Sequence, residues 1–287
     1  MDSGIGACSR QAFRRAMHDG VDRAGNHLFP AFPYDHFTKM TDAGVDAIYA
    51  FIMTDVAPVK TVQPENGVPF PLNIRWLLAG WKLLFADLGR YEPDSTQPEA
   101  WNRGAYLAEG LSHCAACHPP RNTLGAEEVS AQYAGAAIDR WSAPALTSAN
   151  ASAVPWTAPE FKSYLETGVT TYHEVAAGPM GPVVHDSMRA QPKADIDALS
   201  VYLADKVGAA PDNPAKSSAV LASLKKRQPD PQYRRDLGGL PPPEGPGLNV
   251  GAWSAPAPSG RWFPALGGGI PRRCGAGRCG RGGAISR

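Results

Sequence analysis

The sequence is poor in cysteine, has almost no net charge and lacks a long apolar run. Its five cysteines are an odd number, so they cannot all pair in a disulfide framework. The net charge of +1 shows no basic footprint of a nucleic-acid-binding protein. The apolar run within residues 68–85 is broken by Arg75 and Lys82 and is too short to span a bilayer. No serine–histidine–carboxylate set, glycine-rich phosphate loop or carboxylate pair indicates an enzyme active site.

Glycine and proline, in contrast, are abundant. The chain has 30 glycines and 28 prolines in 287 residues, which is typical of small modules joined by long irregular segments. The hydrophobic content of 43% is sufficient for real cores, and the length allows about two domains. Apolar residues at helical spacing, as in residues 12–17 and 41–52, predict a mostly α fold.

One stretch carries recognisable chemistry, the sequence Cys-Ala-Ala-Cys-His at residues 114–118. This is the attachment sequence of a c-type haem, in which Cys114 and Cys117 form thioether bonds to the porphyrin. His118 then follows at once as the proximal iron ligand. The sequence therefore predicts one heme c per chain, because the motif occurs once.

Two other kinds of site use a Cys-x-x-Cys pair. A thioredoxin-like couple needs a strand before the pair and a helix after it. Here residues 101–111 predict a helix that runs into a loop, and Pro119 and Pro120 prevent a helix from continuing. A zinc knuckle needs a second ligand pair, and Cys274 and Cys279 have the wrong spacing and no following histidine. Haem attachment is the favoured interpretation.

The sixth iron ligand has several candidates downstream of His118. Met180 is favoured because glycines and prolines flank it, which predicts an irregular loop ahead of the last helix of the module. Met188 is the alternative, although a methionine there is more typical of a core residue. A histidine, His173 or His185, is the third possibility.

Several other residues are predicted to lie near the haem. Arg121 and Asn122 are candidates for bonds to haem propionates or to backbone carbonyls. Trp141 and Trp156 are expected to pack near the macrocycle or in an ordinary core. His113, which precedes the motif, is interpreted as a solvated or haem-edge side chain because His118 already takes the proximal position.

The region before the motif resembles the region after it. Phe13 precedes Gly20 by seven residues, and Phe161 precedes Gly168 by seven. The pattern Asp-Ala-Ile-Tyr-Ala-Phe at residues 46–51 then echoes residues 197–203. This self-similarity predicts two copies of one module. Phe32 of the first copy matches Met180, so the first copy lacks this methionine, and His36 or Met40 would be its substitute iron ligand.

These patterns divide the chain into four parts. Residues 1–55 are expected to be the C-terminal half of a first cytochrome c module, and residues 96–208 a complete module. Residues 56–95 are a connector, whose apolar run is either packed between modules or an interfacial amphipathic helix. Residues 209–287 are expected to be a linker and a disordered tail, since their glycine, proline and arginine content cannot form a core.

The sequence resembles the multihaem cytochrome c subunits of membrane-bound periplasmic dehydrogenases, which serve alcohol, gluconate, sorbitol and nicotinate-type enzymes. The matching segments cover roughly residues 3–240 and include residues 30–38, 69–75, 101–107, 110–126 and 178–180. The resemblance implies electron transfer from a dehydrogenase catalytic subunit to quinone or a terminal oxidase, without substrate chemistry in this chain. It also implies a periplasmic location at the inner membrane, through the complex or through an anchor outside this chain.

The sequence departs from that family at both ends. The family has three haem modules, each with its own motif, behind a signal peptide, whereas residues 1–10 lack a signal-peptide pattern. Beyond about Gly238 no further motif follows. A start inside module one and a shift of reading frame at the end are therefore expected. A haem-dependent peroxidase-like enzyme and a non-functional fragment are the alternative functions.

Overall fold

A computed structural model describes residues 4–59, 67–71, 73–138, 140–173, 175–209 and 214–226. All of these belong to one compact unit, Met1–Pro241. A second unit, Pro242–Arg287, lies outside the described residues, as does most of the predicted disordered tail.

The described residues form a mostly α structure, as the helical spacing in the sequence predicts. The helices are α1 (Arg10–Asp19), α2 (Tyr34–Phe37), α3 (Asp42–Thr54), α4 (Leu77–Phe85), α5 (Glu99–Tyr106), α6 (Ala158–Thr167), α7 (Met180–Pro182), α8 (Lys193–Lys206) and α9 (Pro214–Lys226). Strands β1 (Ala136–Ile138) and β2 (Trp141–Ala143) pair antiparallel, with Ala137 opposite Ser142. Within the described ranges, no helix is both long and apolar enough to cross a membrane.

Two helix pairs repeat one local arrangement. α1 begins after the capping side chain of Ser9 and ends at Gly20, whose φ is +58°. α6 likewise begins after the capping side chain of Thr157 and ends at Gly168, with φ +77°. A left-handed glycine stops a helix because its amide bonds back to the last turn. α1 then packs on α3, and α6 packs on α8, in the order that the sequence repeat predicts.

The larger hydrophobic core lies where α5, α6 and α8 meet. α5 crosses α8 closely, since a Cβ added at Gly104 would lie 2.1 Å from Ala198 O. The buried side chains here include Leu107, Tyr133, Phe161, Leu165, Met188, Ile196, Leu199 and Tyr202. A smaller core, formed by Phe13, Met17, Met40 and Val45, belongs to α1, α3 and the segment between them.

Helix α4 lies within the predicted connector and contacts both parts of the chain. The Lys82 ammonium donates to Asp19 O and, across 2.7 Å, to Gly20 O at the end of α1. The Trp81 indole donates to Leu124 O, in the loop after the motif, across 3.0 Å. Helix α4 thus contacts both the end of α1 and the loop that follows the attachment motif.

The segment expected to be a linker differs from that prediction. Residues 214–226, within the predicted linker of residues 209–287, form helix α9. The glycine-rich and proline-rich composition that indicated a linker belongs to later residues, whereas residues 214–226 contain neither glycine nor a proline beyond the first position. Proline is well tolerated at the first position of a helix.

Candidate haem site

The attachment motif follows directly from helix α5. α5 continues into a π-helical turn at Leu107–Leu111, and a 3₁₀ turn then forms at Cys114–Ala116. The break between them falls at His113, whose φ is +38°. The amides of Cys117 and His118 both point to Cys114 O, so the two thiols and the imidazole leave one tight turn. The prediction of a helix that runs into a loop is confirmed.

Both thiols of the motif are free in the structure. Burial raises the pKa of the Cys114 thiol to about 12, and the negative charge of Glu109 adds to this effect. Burial also raises the pKa of the Cys117 thiol, against the opposing charge of Arg121. A thioredoxin-like couple depends on a lowered thiol pKa. The environment of these thiols therefore favours the haem interpretation over a dithiol redox couple.

The imidazole of His118 is held in one orientation by a backbone carbonyl. Its Nδ1 lies 2.8 Å from Pro144 O, immediately after strand β2. A carbonyl oxygen only accepts, so Nδ1 carries the proton. Burial lowers the pKa of His118, which favours the neutral ring. Nε2 therefore bears the lone pair, which is the state that an iron ligand requires.

Arg121 braces the attachment turn through backbone carbonyls. Its guanidinium donates to Ala116 O across 2.7 Å and to Gly125 O across 2.8 Å. It also lies 3.3 Å from the Glu127 carboxylate. Of the two predicted kinds of partner, the structure thus contains the carbonyls. Asn122 accepts from two amides of its own loop, those of Leu124 and Ala126.

Met180 begins the short helix α7 and so lies at the end of the predicted irregular loop, not within it. It packs, partly buried, against the larger core that Cys114 also contacts. The loop before it is positioned by Trp141. Gly178 adopts a left-handed φ of +55°, and a Cβ there would lie 2.4 Å from the Trp141 ring. The β1–β2 hairpin and the residue after it thus contact both parts of the site. Pro144 O accepts from His118, and the Trp141 ring packs against Gly178 in the loop before Met180.

The alternative sixth ligands occupy other surroundings. Met188 is only 6% exposed and is a member of the larger core. His173 stacks flat on Trp156, with 3.8 Å between ring centroids, and its Nδ1 lies 3.0 Å from Ser152 Oγ. Burial lowers the pKa of His173 to about 4. His185 is exposed, with its ring over Gly168.

The residues suggested as substitute ligands of the first copy are engaged elsewhere. Met40 is 1% exposed and lies in the smaller core. The ring nitrogens of His36 lie 3.0 Å from Glu109 O and 2.9 Å from Glu127 Oε1. Both partners are acceptors, so the contacts suit a doubly protonated imidazolium. His36 therefore serves as a cation at the junction with the attachment loop.

His113 also belongs to this junction. Its ring packs edge-on against Phe37, with 5.6 Å between centroids. It lies 6.4 Å from the His36 ring. Burial and the charge of His36 lower the pKa of His113. The left-handed backbone at His113 places the ring toward helix α2, so it lies between the two parts of the chain.

Three contributions to the site were missed from the sequence: those of Pro144, Glu109 and Glu127. Four of their hydrogen bonds join residues that are 24 to 93 positions apart in the chain. Periodicity reports only local neighbours and could not have found them. Glu109 alone leaves a local signal, as a carboxylate within the apolar sequence of residues 107–111.

The residues present fit a c-type haem. Two free thiols on one turn are the attachment points of such a haem, and a neutral histidine with its lone pair on Nε2 and a partly buried methionine on the same core are suitable iron ligands. The carbonyl of Pro144 supplies the outer partner that orients a metal-bound histidine. These features are characteristic of the c-type cytochromes as a class.

Comparison with known proteins gives the family. No protein-family model matches the chain. A nicotinate dehydrogenase subunit of Pseudomonas putida is 47% identical over 208 residues, which are 72% of this chain and 17% of the relative. The fructose dehydrogenase cytochrome subunit of Gluconobacter japonicus is 42% identical over 202 residues, or 70% of this chain and 41% of the relative.

A diheme c-type cytochrome of Cereibacter sphaeroides is 33% identical over 204 residues, covering 70% of this chain and 67% of the relative. The chain belongs to the family of dehydrogenase cytochrome c subunits and diheme c-type cytochromes, which confirms the resemblance found in the sequence. It spans less than half the length of the nicotinate and fructose dehydrogenase relatives.

Proposed function

We propose that this chain binds one c-type haem covalently and relays electrons from a partner dehydrogenase to quinone or a terminal oxidase. The observation that carries the proposal is the hydrogen bond from His118 Nδ1 to Pro144 O. It leaves the lone pair of the ring on Nε2, in a side chain next to the turn that bears both thiols. When bound, the haem supplies reversible one-electron chemistry of its iron. The chain contributes no substrate chemistry of its own.

Each site residue has a defined role in this proposal. Cys114 and Cys117 would hold the haem through thioethers, and His118 Nε2 would be one iron ligand. Met180 would be the second iron ligand, with Met188 as the alternative, and a thioether ligand would favour a higher potential. The carbonyl bonds of Arg121 hold its guanidinium beside the turn, where it is a proposed propionate contact.

The proposed partner is a dehydrogenase catalytic subunit, as the names of the relatives suggest. The proposed location is the periplasm, because covalent haem attachment takes place outside the cytoplasm. Association with the inner membrane would then depend on the complex or on an anchor outside this chain. Nucleic acid is not a partner in this proposal, in keeping with the net charge of +1.

A pyridine haemochrome assay tests the proposal. The full chain is expressed with an added export signal and a c-type maturation system, and covalently bound haem is counted per chain. We expect one haem, lost in Cys114→Ala and in Cys117→Ala. Cys8→Ala is the matched control, because Cys8 is a free thiol outside the motif and should leave the count unchanged.

The same assay separates the alternatives. A chain that matures without haem would contradict the relay and support a non-functional fragment. A haem that is retained in both cysteine variants would contradict covalent attachment. A loaded protein that turns over peroxide at an open iron position would support a peroxidase-like enzyme instead.

A further inference from the structure

A partly buried carboxylate contacts the larger core close to the attachment turn. Glu109 is in the π-helical turn that precedes the motif, five residues before Cys114. Its Oε1 accepts from the hydroxyls of Tyr133, across 2.9 Å, and Tyr202, across 2.5 Å. Its Oε2 accepts from the Gln132 amide across 2.8 Å. Three donors thus converge on one side chain.

Two of these three donors are built into the core, whereas Gln132 is exposed. Tyr133 and Tyr202 are 1% and 2% exposed, and they come from a loop and from helix α8. Burial, together with nearby negative charge, raises the pKa of both hydroxyls, so they remain donors. Three donors and no acceptor form the hydrogen-bond pattern that an ionised carboxylate accepts.

The charge of Glu109 has no close cationic partner. Among the residues that the structure describes, no lysine, arginine or histidine nitrogen forms an ion pair with this carboxylate. A cation does contact one of its tyrosine partners: the Lys206 Nζ lies 5.1 Å from the ring centroid of Tyr202. His36 approaches only the backbone oxygen of Glu109. The negative charge is hydrogen-bonded but not neutralised.

We propose that Glu109 is a fixed negative charge that lowers the reduction potential of the haem attached at Cys114. The inference rests on the proposed haem function. Reduction adds one electron to the haem, so a neighbouring anion disfavours the ferrous state relative to the ferric state. Because the carboxylate is partly buried, this effect is screened less than that of a fully exposed charge. Glu109 acts on the cofactor through its charge and does not ligate the iron.

The experiment is a redox titration of the haem-loaded full chain at pH 8, compared with Glu109→Gln. Glutamine keeps an oxygen that can accept from the tyrosines and removes the charge. We expect the ferrous-to-ferric ratio at a fixed ambient potential to rise about tenfold. For a one-electron couple this corresponds to an upward shift of about 59 mV.

Two matched variants separate charge from structure. Glu109→Asp keeps the charge and should remain near the parent potential. Glu128→Gln removes an exposed carboxylate from the loop that follows the motif and should also leave the potential unchanged. Equal potentials in Glu109→Gln and Glu128→Gln would overturn the proposal. So would an upward shift in Glu109→Asp as large as that in Glu109→Gln.

A further variant covers the case in which Glu109→Gln fails to fold. Tyr202→Phe keeps the charge and removes one of its donors, so the less compensated anion should move the potential downward. An upward shift in Tyr202→Phe at pH 8 would contradict the proposal. Haem loading of the parent chain is measured first. An unloaded parent refutes the proposed function, whereas a loaded parent with an unchanged potential in these variants refutes only the role of Glu109.

Discussion

His36 and Glu127, which are 91 residues apart in the chain, form an ion pair with 2.9 Å between Nε2 and Oε1. The pair joins helix α2 to the loop that braces the attachment turn. Asp35 lies beside it, and the ligand-type atoms of Asp35, His36 and Glu127 all lie within 4.8 Å of one another. Both His36 nitrogens face acceptors, so each nitrogen carries a proton. The resulting positive charge lies between the two carboxylates.

The His36 ion pair predicts a stability that depends on pH. Burial alone would lower the pKa of His36, but the hydrogen bond and charge of Glu127, with Asp35 and Glu109 O, raise it above 6.5. The stabilisation is therefore full below the unfolded pKa and is lost as the pH rises through the folded pKa. Arg121 and His113 also face the cluster, and a positive charge on either one opposes the protonation of His36.

Substitution of His36 tests this dependence. We expect His36→Gln to lower the free energy of unfolding by about 3 kcal/mol at pH 6, because Glu127 loses its buried partner. The loss should be smaller at pH 9. Denaturant unfolding at the two pH values measures it, and His185→Gln, at an exposed histidine, is the control. An equal loss at both pH values would argue against a protonated His36.

The two methionine candidates should respond in opposite ways. Met180→Ala removes the proposed iron ligand from a partly buried position, so the loaded protein should bind added imidazole or carbon monoxide. Met188→Ala should leave the iron spectrum unchanged but lower the free energy of unfolding by about 2–5 kcal/mol, because Met188 is buried in the core. Absorption spectra and denaturant unfolding of both variants give the answer. The reverse pattern would assign the ligand to Met188.

The Met180 loop should depend on the contact between Gly178 and Trp141. Gly178→Ala places a methyl group 2.4 Å from the nearest atom of the Trp141 ring, so the loop must shift. The left-handed backbone at this position also disfavours alanine. We expect a part of the loaded protein to lose the methionine ligand, as seen in its absorption spectrum. Trp141→Ala in the same chain removes the steric clash and should restore most of the ligation. A double variant as impaired as Gly178→Ala alone would show that the loop is placed by other contacts.

Lys82 should stabilise the chain through the end of helix α1. Lys82→Met removes the side-chain donor to Asp19 O and Gly20 O, of which Gly20 O keeps the Leu28 amide, and a loss of about 2 kcal/mol in the free energy of unfolding is expected. Lys162→Met removes an ion pair with Asp197 between exposed side chains, and should lower the free energy of unfolding less than Lys82→Met does. Chemical denaturation of both variants measures the difference. Equal losses in the two variants would contradict a stabilising role for the bonds from Lys82 to the end of helix α1.

The pH dependence of Lys82 has the opposite sign from that of His36. Burial lowers the pKa of Lys82 to about 8, below the ordinary value of 10.5. Between these values the unfolded chain binds more protons, so this group makes the folded state more stable as the pH rises through the window. The parent chain should gain stability relative to Lys82→Met between pH 8 and 10. A constant difference across this range would contradict the lowered pKa.

Local features of the fold could be read from the sequence because they depend on neighbours in the chain. The repeated segments that end at Gly20 and Gly168 and the helix before Cys114 are examples, since each depends on residues within a few turns. The Cys-x-x-Cys-His spacing is equally local, and it directed attention to the site.

The environment of the site could not be read in the same way. The partner of His118 is a carbonyl 26 residues away, and one partner of Glu109 is a hydroxyl 93 residues away. Such contacts follow from how helices cross, which no periodicity encodes. The role of His36 could not be predicted for the same reason. A histidine in the sequence is equally compatible with an iron ligand and with a cation at the junction between the two parts of the chain. Only its two acceptors distinguish them.

The most direct test of electron relay is a potentiometric titration of the haem-loaded chain, followed by its absorption spectrum. The account predicts one reversible one-electron transition, with six-coordinate low-spin iron in both oxidation states. This result would mean that both axial positions are filled by the chain and that the haem exchanges electrons without binding substrate. A five-coordinate or high-spin iron, or a transition that is not reversible, would contradict the relay.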